Sequence, residues 1–258
     1  EAWSQSDLPD ATNWVESLPD GEKKDAALAG LSEAWAQNDP KGMATFALGL
    51  PAGELQTRYL TAACCQLAVH DLPGSVELLK PLSDAKLRQS ILEQAARTSA
   101  VPPMNPAAEY IAALPAGADQ NAAIKGLLSR WTDADPETAA DWLCSFPETN
   151  AHPEQVQSVI KAWAQREPAA VAKWLANLPA GTDRAGMVSA FLAGTVEKYP
   201  EFAGQWTQSV TNETQRLQYQ NQVVQQWMKT DPSAALKWLQ RRDLPSHVED
   251  RVIPNHFQ

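Results

Sequence analysis

The stretch Trp131-Thr-Asp-Ala-Asp135-Pro136-Glu-Thr-Ala139-Ala-Asp141-Trp142-Leu143-Cys-Ser-Phe146-Pro147 carries a complete specification for one helix. Asp135 followed by Pro136 marks the start. The carboxylate can accept from the free amides of a first turn, and the fixed φ of proline suits that turn. Ala139, Trp142, Leu143 and Phe146 then recur at helical spacing and give one apolar face. Pro147 stops the helix, because proline cannot continue it. The same grammar returns 32 residues later, with Glu167 and Pro168 at the start, Trp174 and Leu178 on the face, and Pro179 at the stop.

That interval runs through the whole chain. All ten tryptophans fall into two slots, each recurring every 32 residues. The first slot reads Trp3, Trp35, Leu67, Ser99, Trp131, Trp163, Thr195, Trp227. The second reads Trp14, Phe46, Leu78, Tyr110, Trp142, Trp174, Trp206, Trp238. Helix starts occupy a third column: Asp7, Asp39, Asp71, Asp135, Glu167 and Asp231, and Pro40, Pro136, Pro168, Pro200 and Pro232 stand in the column that comes next. After the second slot the chain reads Leu-Pro-x-Gly at residues 18–21, 50–53, 114–117 and 178–181. Proline ends the helix there and glycine turns the chain. A longer helix follows, its apolar stripe running Leu28, Leu31, Trp35 in one place and Ile124, Leu127, Trp131 in another.

The spacing therefore predicts an all-α chain of eight 32-residue helical hairpins, starting near residues 3, 35, 67, 99, 131, 163, 195 and 227. Each would pair a short helix of about 10 residues with a longer one of about 15. Such a hairpin cannot bury its apolar face alone, so stacking on its neighbours is expected to supply the core and to make 1–258 a single helical-repeat domain. Both tryptophan slots are expected to act mainly as cement between units, leaving one or two members in weaker context, such as Trp206, to stack on a ligand. Two stretches depart from the pattern: the proline-rich run from Ser99 to Ala107, and the glutamine-rich run from Thr195 to Gln222. The phase survives across the first of them, which favours one continuous solenoid over two domains. Pro254 is expected to interrupt the last helix.

The Asp-Pro start and the seven-residue step to an aromatic resemble tetratricopeptide-type repeats, although the period here is 32 rather than about 34. The string Trp-Ala-x-x-Asp-Pro, as in Trp35-Ala-Gln-Asn-Asp-Pro40, looks more like a repeat of uncharacterised bacterial proteins. The resemblance implies a right-handed α-solenoid, a tetratricopeptide-like superhelix, used for binding proteins or peptides. It carries over no catalytic residue.

Bulk properties narrow the partners. There are 31 acidic and 21 basic side chains, a formal charge of -10, so the basic field that phosphate binding needs is missing and nucleic acid is not expected. No apolar run approaches the roughly 18 residues of a membrane span, so direct membrane insertion is not expected either. Three cysteines, Cys64, Cys65 and Cys144, form neither a disulfide framework nor a zinc pattern. No secretory signal is visible. The chain begins at Glu1, so an upstream segment is expected to have been removed or left out, and the compartment stays open between exported, periplasmic and cytoplasmic.

Catalytic constellations are missing from the sequence. It contains no glycine-rich phosphate loop, no H-E-x-x-H and no G-x-S-x-G, and no cofactor is implied. His70, His152, His247 and His256 are scattered, with His70 and His152 at helix junctions. The aspartates of the start column read as caps. One row remains as a candidate site. The position before the second aromatic slot reads Asn13, Thr45, Glu77, Glu109, Asp141, Lys173, Gln205, Lys237, with Asn177 and Arg241 one turn on. If short helices line the concave wall, this row could hold an extended peptide and prefer a basic segment near its acidic centre. The expected function is thus a non-enzymatic scaffold or adaptor. The alternatives are an α/α-toroid enzyme with a central site, or a structural spacer or assembly subunit of a larger exported or surface protein.

Overall fold

A computed structural model describes residues 8–19, 21–100, 105–147, 152–178 and 184–240. Expectations placed on Trp3, Asp7, Pro179, Gly181, Arg241, His247, Pro254 and His256, and on residues 101–104 of the proline-rich run, lie outside these residues. The fold is all-α, 81% helical, with no strand among the described residues. Among the described residues, fifteen α-helices follow one another in two alternating lengths. The short ones are α1 (Leu8–Glu16), α3 (Pro40–Leu48), α5 (Leu72–Leu79), α7 (Asn105–Ala113), α9 (Pro136–Cys144), α11 (Pro168–Asn177), α13 (Pro200–Trp206) and α15 (Pro232–Gln240). The longer ones are α2 (Glu22–Asn38), α4 (Glu54–Ala68), α6 (Ala85–Ser99), α8 (Ala118–Ala134), α10 (Pro153–Ala164), α12 (Arg184–Thr195) and α14 (Glu213–Thr230). No described helix is long and apolar enough to cross a membrane.

Local chemistry explains these bounds. Asp39, Asp71, Asp135 and Asp231 each accept from the backbone N–H three residues on, at 2.9, 2.8, 3.2 and 3.0 Å, capping α3, α5, α9 and α15. Glu167 and Tyr199 start α11 and α13 without a side-chain cap, with proline at the first turn instead. Gly21, with φ +150°, makes the turn into α2 in a conformation that a Cβ would disfavour.

A recurrent device closes the short helices at their other end. The Gln56 side-chain amide donates to the Leu50 carbonyl at 2.9 Å, and Arg88 to the Leu82 carbonyl at 2.8 Å. Gln120 donates to the carbonyls of Ile111 and Leu114 at 3.1 Å, and Arg216 to that of Val210 at 3.3 Å. These donors stand in one 32-residue column of the sequence. They satisfy carbonyls that a helix end leaves without an intrahelical partner.

The chain divides into two compact units, residues 1–131 and 132–258. In the first, α4 packs against both α2 and α6, and α3 against α4 and α5. A Cβ at Gly126 of α8 would collide with the Glu93 carbonyl of α6, so these two backbones touch. An ion pair at 3.0 Å joins Lys125 to Glu93 across the same two helices. In the second unit α12 packs on α10, with Gly194 held against the Lys161 carbonyl. Arg166, just beyond α10, pairs with Asp133 at 3.2 Å.

The tryptophans separate into two populations. Trp35, Trp131, Trp163 and Trp227 of the first slot are buried. The second slot is buried at Trp174, half-buried at Phe46, Tyr110, Trp142, Trp206 and Trp238, and 55% exposed at Trp14. Members of the two slots meet as tilted or edge-on ring pairs: Trp35–Phe46 at 5.2 Å, Trp163–Trp174 at 6.1 Å and Trp227–Trp238 at 6.1 Å between centroids. Thr195, where the first-slot aromatic is missing, is buried and returns its hydroxyl to the Phe191 carbonyl at 2.8 Å. Phe191, one turn earlier, supplies the ring instead and meets Trp206 at 5.2 Å. Trp206 is thereby a packing partner within its own unit.

Candidate functional site

The row of polar side chains on the short helices is exposed at Asn13, Thr45, Glu77, Glu109, Asp141, Lys173, Asn177, Gln205 and Lys237; Arg241 lies outside the described residues. The members differ in what they already touch. Thr45 returns its hydroxyl to the Lys41 carbonyl at 2.9 Å. Glu77 pairs at 2.5 Å with Lys80, the residue that follows its own helix. Burial, and next the Glu77 charge, raise the pKa of the Tyr110 phenol, which stands 33 residues after that carboxylate.

Asp141, Lys173 and Asn177 come together. They line a cavity of about 380 Å³ with Glu137, Ala170, Trp174 and Leu178. Two neighbouring short helices build it. From α9, Glu137 and Asp141 stand four residues apart on one face. From α11, Lys173 and Asn177 do the same, with Trp174 between them. The Trp174 indole N–H donates to Asp141 Oδ1 at 2.7 Å, which holds one carboxylate oxygen in place. Glu137 and Lys173, opposite in charge, line the same cavity without forming a salt bridge among the described residues. The site is therefore an amphoteric groove with an aromatic side chain in its lining and one oriented acid.

The remaining row members do not join it. Gln205 lines a different cavity of about 500 Å³ with Tyr199, Glu201, Phe202, Trp227 and Asp231. A third cavity, about 610 Å³, lies between α2 and α4 and is lined by Ser32, Glu33, Arg58 and Gln66 among others, with no row residue.

Reading the sequence for the row missed Glu137 and the part played by Trp174. The signal was present. Glu137 lies one turn before Asp141, and Trp174 is the second-slot aromatic of the following period.

Among the described residues, no thiol or imidazole lines this cavity. All three cysteines are free. Cys64 is buried, and desolvation pushes its thiol up to about 12. Cys144, exposed beside the groove, is raised by partial burial and then by the Asp141 charge. His70 is exposed, whereas His152 is buried at the start of α10, its ring edge-on to Phe146 at 4.6 Å. His152 Nε2 has no hydrogen-bond partner among the described residues, and burial lowers its pKa. Among the described residues no three His, Cys, Asp or Glu side chains form a group that could hold a metal. The chain matches no protein-family model, no curated protein and no solved structure.

Proposed function

We propose that this chain is a non-enzymatic scaffold or adaptor that binds a protein or peptide along the face carried by its short helices. The proposal includes the finer architecture: eight 32-residue hairpins continued as one right-handed, tetratricopeptide-like α-solenoid. Side-chain contacts about one period apart support it, among them Glu93–Lys125, Asp133–Arg166 and Asp141–Trp174, separated by 32, 33 and 33 residues. A binding role rests above all on one observation. Asp141, Lys173 and Asn177, chosen only for their register, line a single cavity whose opposite charges are not spent on each other. Surface charges left in this state are available to a partner and set its orientation.

The test is a selection of random peptides on the whole chain, with binding mapped by amide chemical-shift changes. Binders should move resonances of α9 and α11 and lose affinity on the double reversal Asp141→Lys, Lys173→Glu. A selection that yields no binder, or binders that map only to the longer helices, overturns the reading.

A further inference from the structure

Resting on that reading, we infer that the α9–α11 groove is a pocket for a basic side chain, and for arginine in particular, presented within a peptide. The inference names the ligand class. It begins with the charge count: two carboxylates, Glu137 and Asp141, against one ammonium, Lys173. The surplus is negative, so a cation is the favoured guest.

Geometry sharpens this. Asp141 Oδ1 is occupied by the Trp174 indole N–H, which fixes the carboxylate and leaves Oδ2 to a ligand. Glu137 stands one turn away on the same face of α9. Two carboxylates so placed can each accept from the planar fork of a guanidinium, which presents five N–H donors. The indole of Trp174 lines the same cavity, and a guanidinium that reaches its face gains cation–π attraction. Lys173 and Asn177 lie on the opposite wall, on α11. Both can donate, and the complementary group next to an arginine side chain is a peptide carbonyl. A cation on one wall and a carbonyl on the other match the amphoteric lining, and about 380 Å³ suits one side chain with its adjoining peptide unit. A carboxylate guest would meet Lys173 but also two like charges, which is unfavourable.

The experiment uses the whole chain labelled with ¹⁵N and follows the indole N–H signal of Trp174, identified as the one lost in Trp174→Phe. Three capped tripeptides are titrated: acetyl-Ala-Arg-Ala-amide, its citrulline counterpart and its leucine counterpart. Citrulline keeps the shape of arginine and removes the charge. The arginine peptide should shift the signal saturably, and the citrulline and leucine peptides should bind at least about tenfold more weakly. Raising salt from about 50 mM to 500 mM should narrow that gap, since exposed charges are screened. Glu137→Gln should lower arginine affinity by about five- to tenfold while leaving the citrulline peptide unchanged. Lys173→Met should weaken the citrulline peptide, which loses a donor to its carbonyl, and widen the preference for arginine, because a like charge is removed from the lining. Equal binding of arginine and citrulline peptides to the unmodified chain, or no shift with any of the three, overturns the inference without recourse to a variant. Selected peptides that bind α9 and α11 but lack basic residues overturn it too, and leave the broader reading standing. The absence of any selected binder removes that broader reading itself.

Discussion

The indole N–H of Trp174 donates to Asp141 Oδ1 at 2.7 Å across the gap from α11 to α9. The sequence assigns one residue of this pair to packing and the other to the candidate binding row, yet each fixes the other. Trp174 is buried and Asp141 exposed, so the bond sits at the edge of the core. Net values for such hydrogen bonds cluster around 1 kcal/mol. Trp174→Phe keeps most of the ring packing on Trp163 and loses only the donor. Its cost should be about 1 kcal/mol and should disappear in an Asp141→Ala background. A urea double-mutant cycle reads this directly, and additive losses would show that the bond carries no energy.

Two glycines should respond in opposite directions to the same substitution. Gly30 lies within α2, is exposed, and a Cβ there meets nothing within 4 Å. Gly30→Ala should stabilise by about 0.5–1 kcal/mol, because alanine has less backbone freedom to lose on entering a helix. Gly126 packs on the Glu93 carbonyl, so Gly126→Ala must push α8 from α6 and should cost about 1–3 kcal/mol. Thermal melts of the two variants should move apart in sign. A shift of both in one direction would contradict the close approach of α6 and α8.

Gln120 is fully buried and donates to the carbonyls of Ile111, Ala112 and Leu114. Gln120→Leu fills a similar volume but leaves the end of α7 without that donor. The expected loss is about 1–3 kcal/mol, the cost of leaving buried acceptors without a partner. Hydrogen exchange should locate the weakening at α7 and the first turn of α8, and a uniform change across the unit would argue for a different cause.

His152 gives the chain a sensitivity to acid. Burial lowers its pKa below the ordinary 6.5, so the folded state resists a proton that the unfolded chain accepts. Its contribution is fully present above 6.5 and is lost as pH falls from there toward the lowered value. His152→Phe keeps a ring against Phe146 and removes the titration. Urea midpoints compared at about pH 7.5 and pH 5.5 should fall further for the parent chain than for the variant. Equal falls would place the acid response elsewhere, among the carboxylates.

Much of this molecule follows from the order of its residues. The alternation of short and longer helices comes from Asp-Pro starts and Leu-Pro-x-Gly stops, both local devices acting within four or five residues. The burial of Trp35, Trp131, Trp163 and Trp227 follows from their place on apolar stripes. The column of Gln56, Arg88, Gln120 and Arg216 was written in the same period, but glutamine and arginine give no hint of their acceptors until the preceding helix end is placed.

The tertiary structure alone decided the candidate site. Register puts Asp141 beside Lys173, 32 residues on, as it puts Thr45 beside Glu77. Yet a polar side chain has no fixed partner until neighbouring helices are set at a particular offset. With α11 placed against α9, the residue 33 positions on is the one that Asp141 bonds, and a cavity opens between Glu137 and Lys173. Elsewhere the same register positions bond within their own stretch of chain, Thr45 to the carbonyl of Lys41 and Glu77 to the ammonium of Lys80. Helix starts and stops are decided by neighbours along the chain, and a binding surface by neighbours across it.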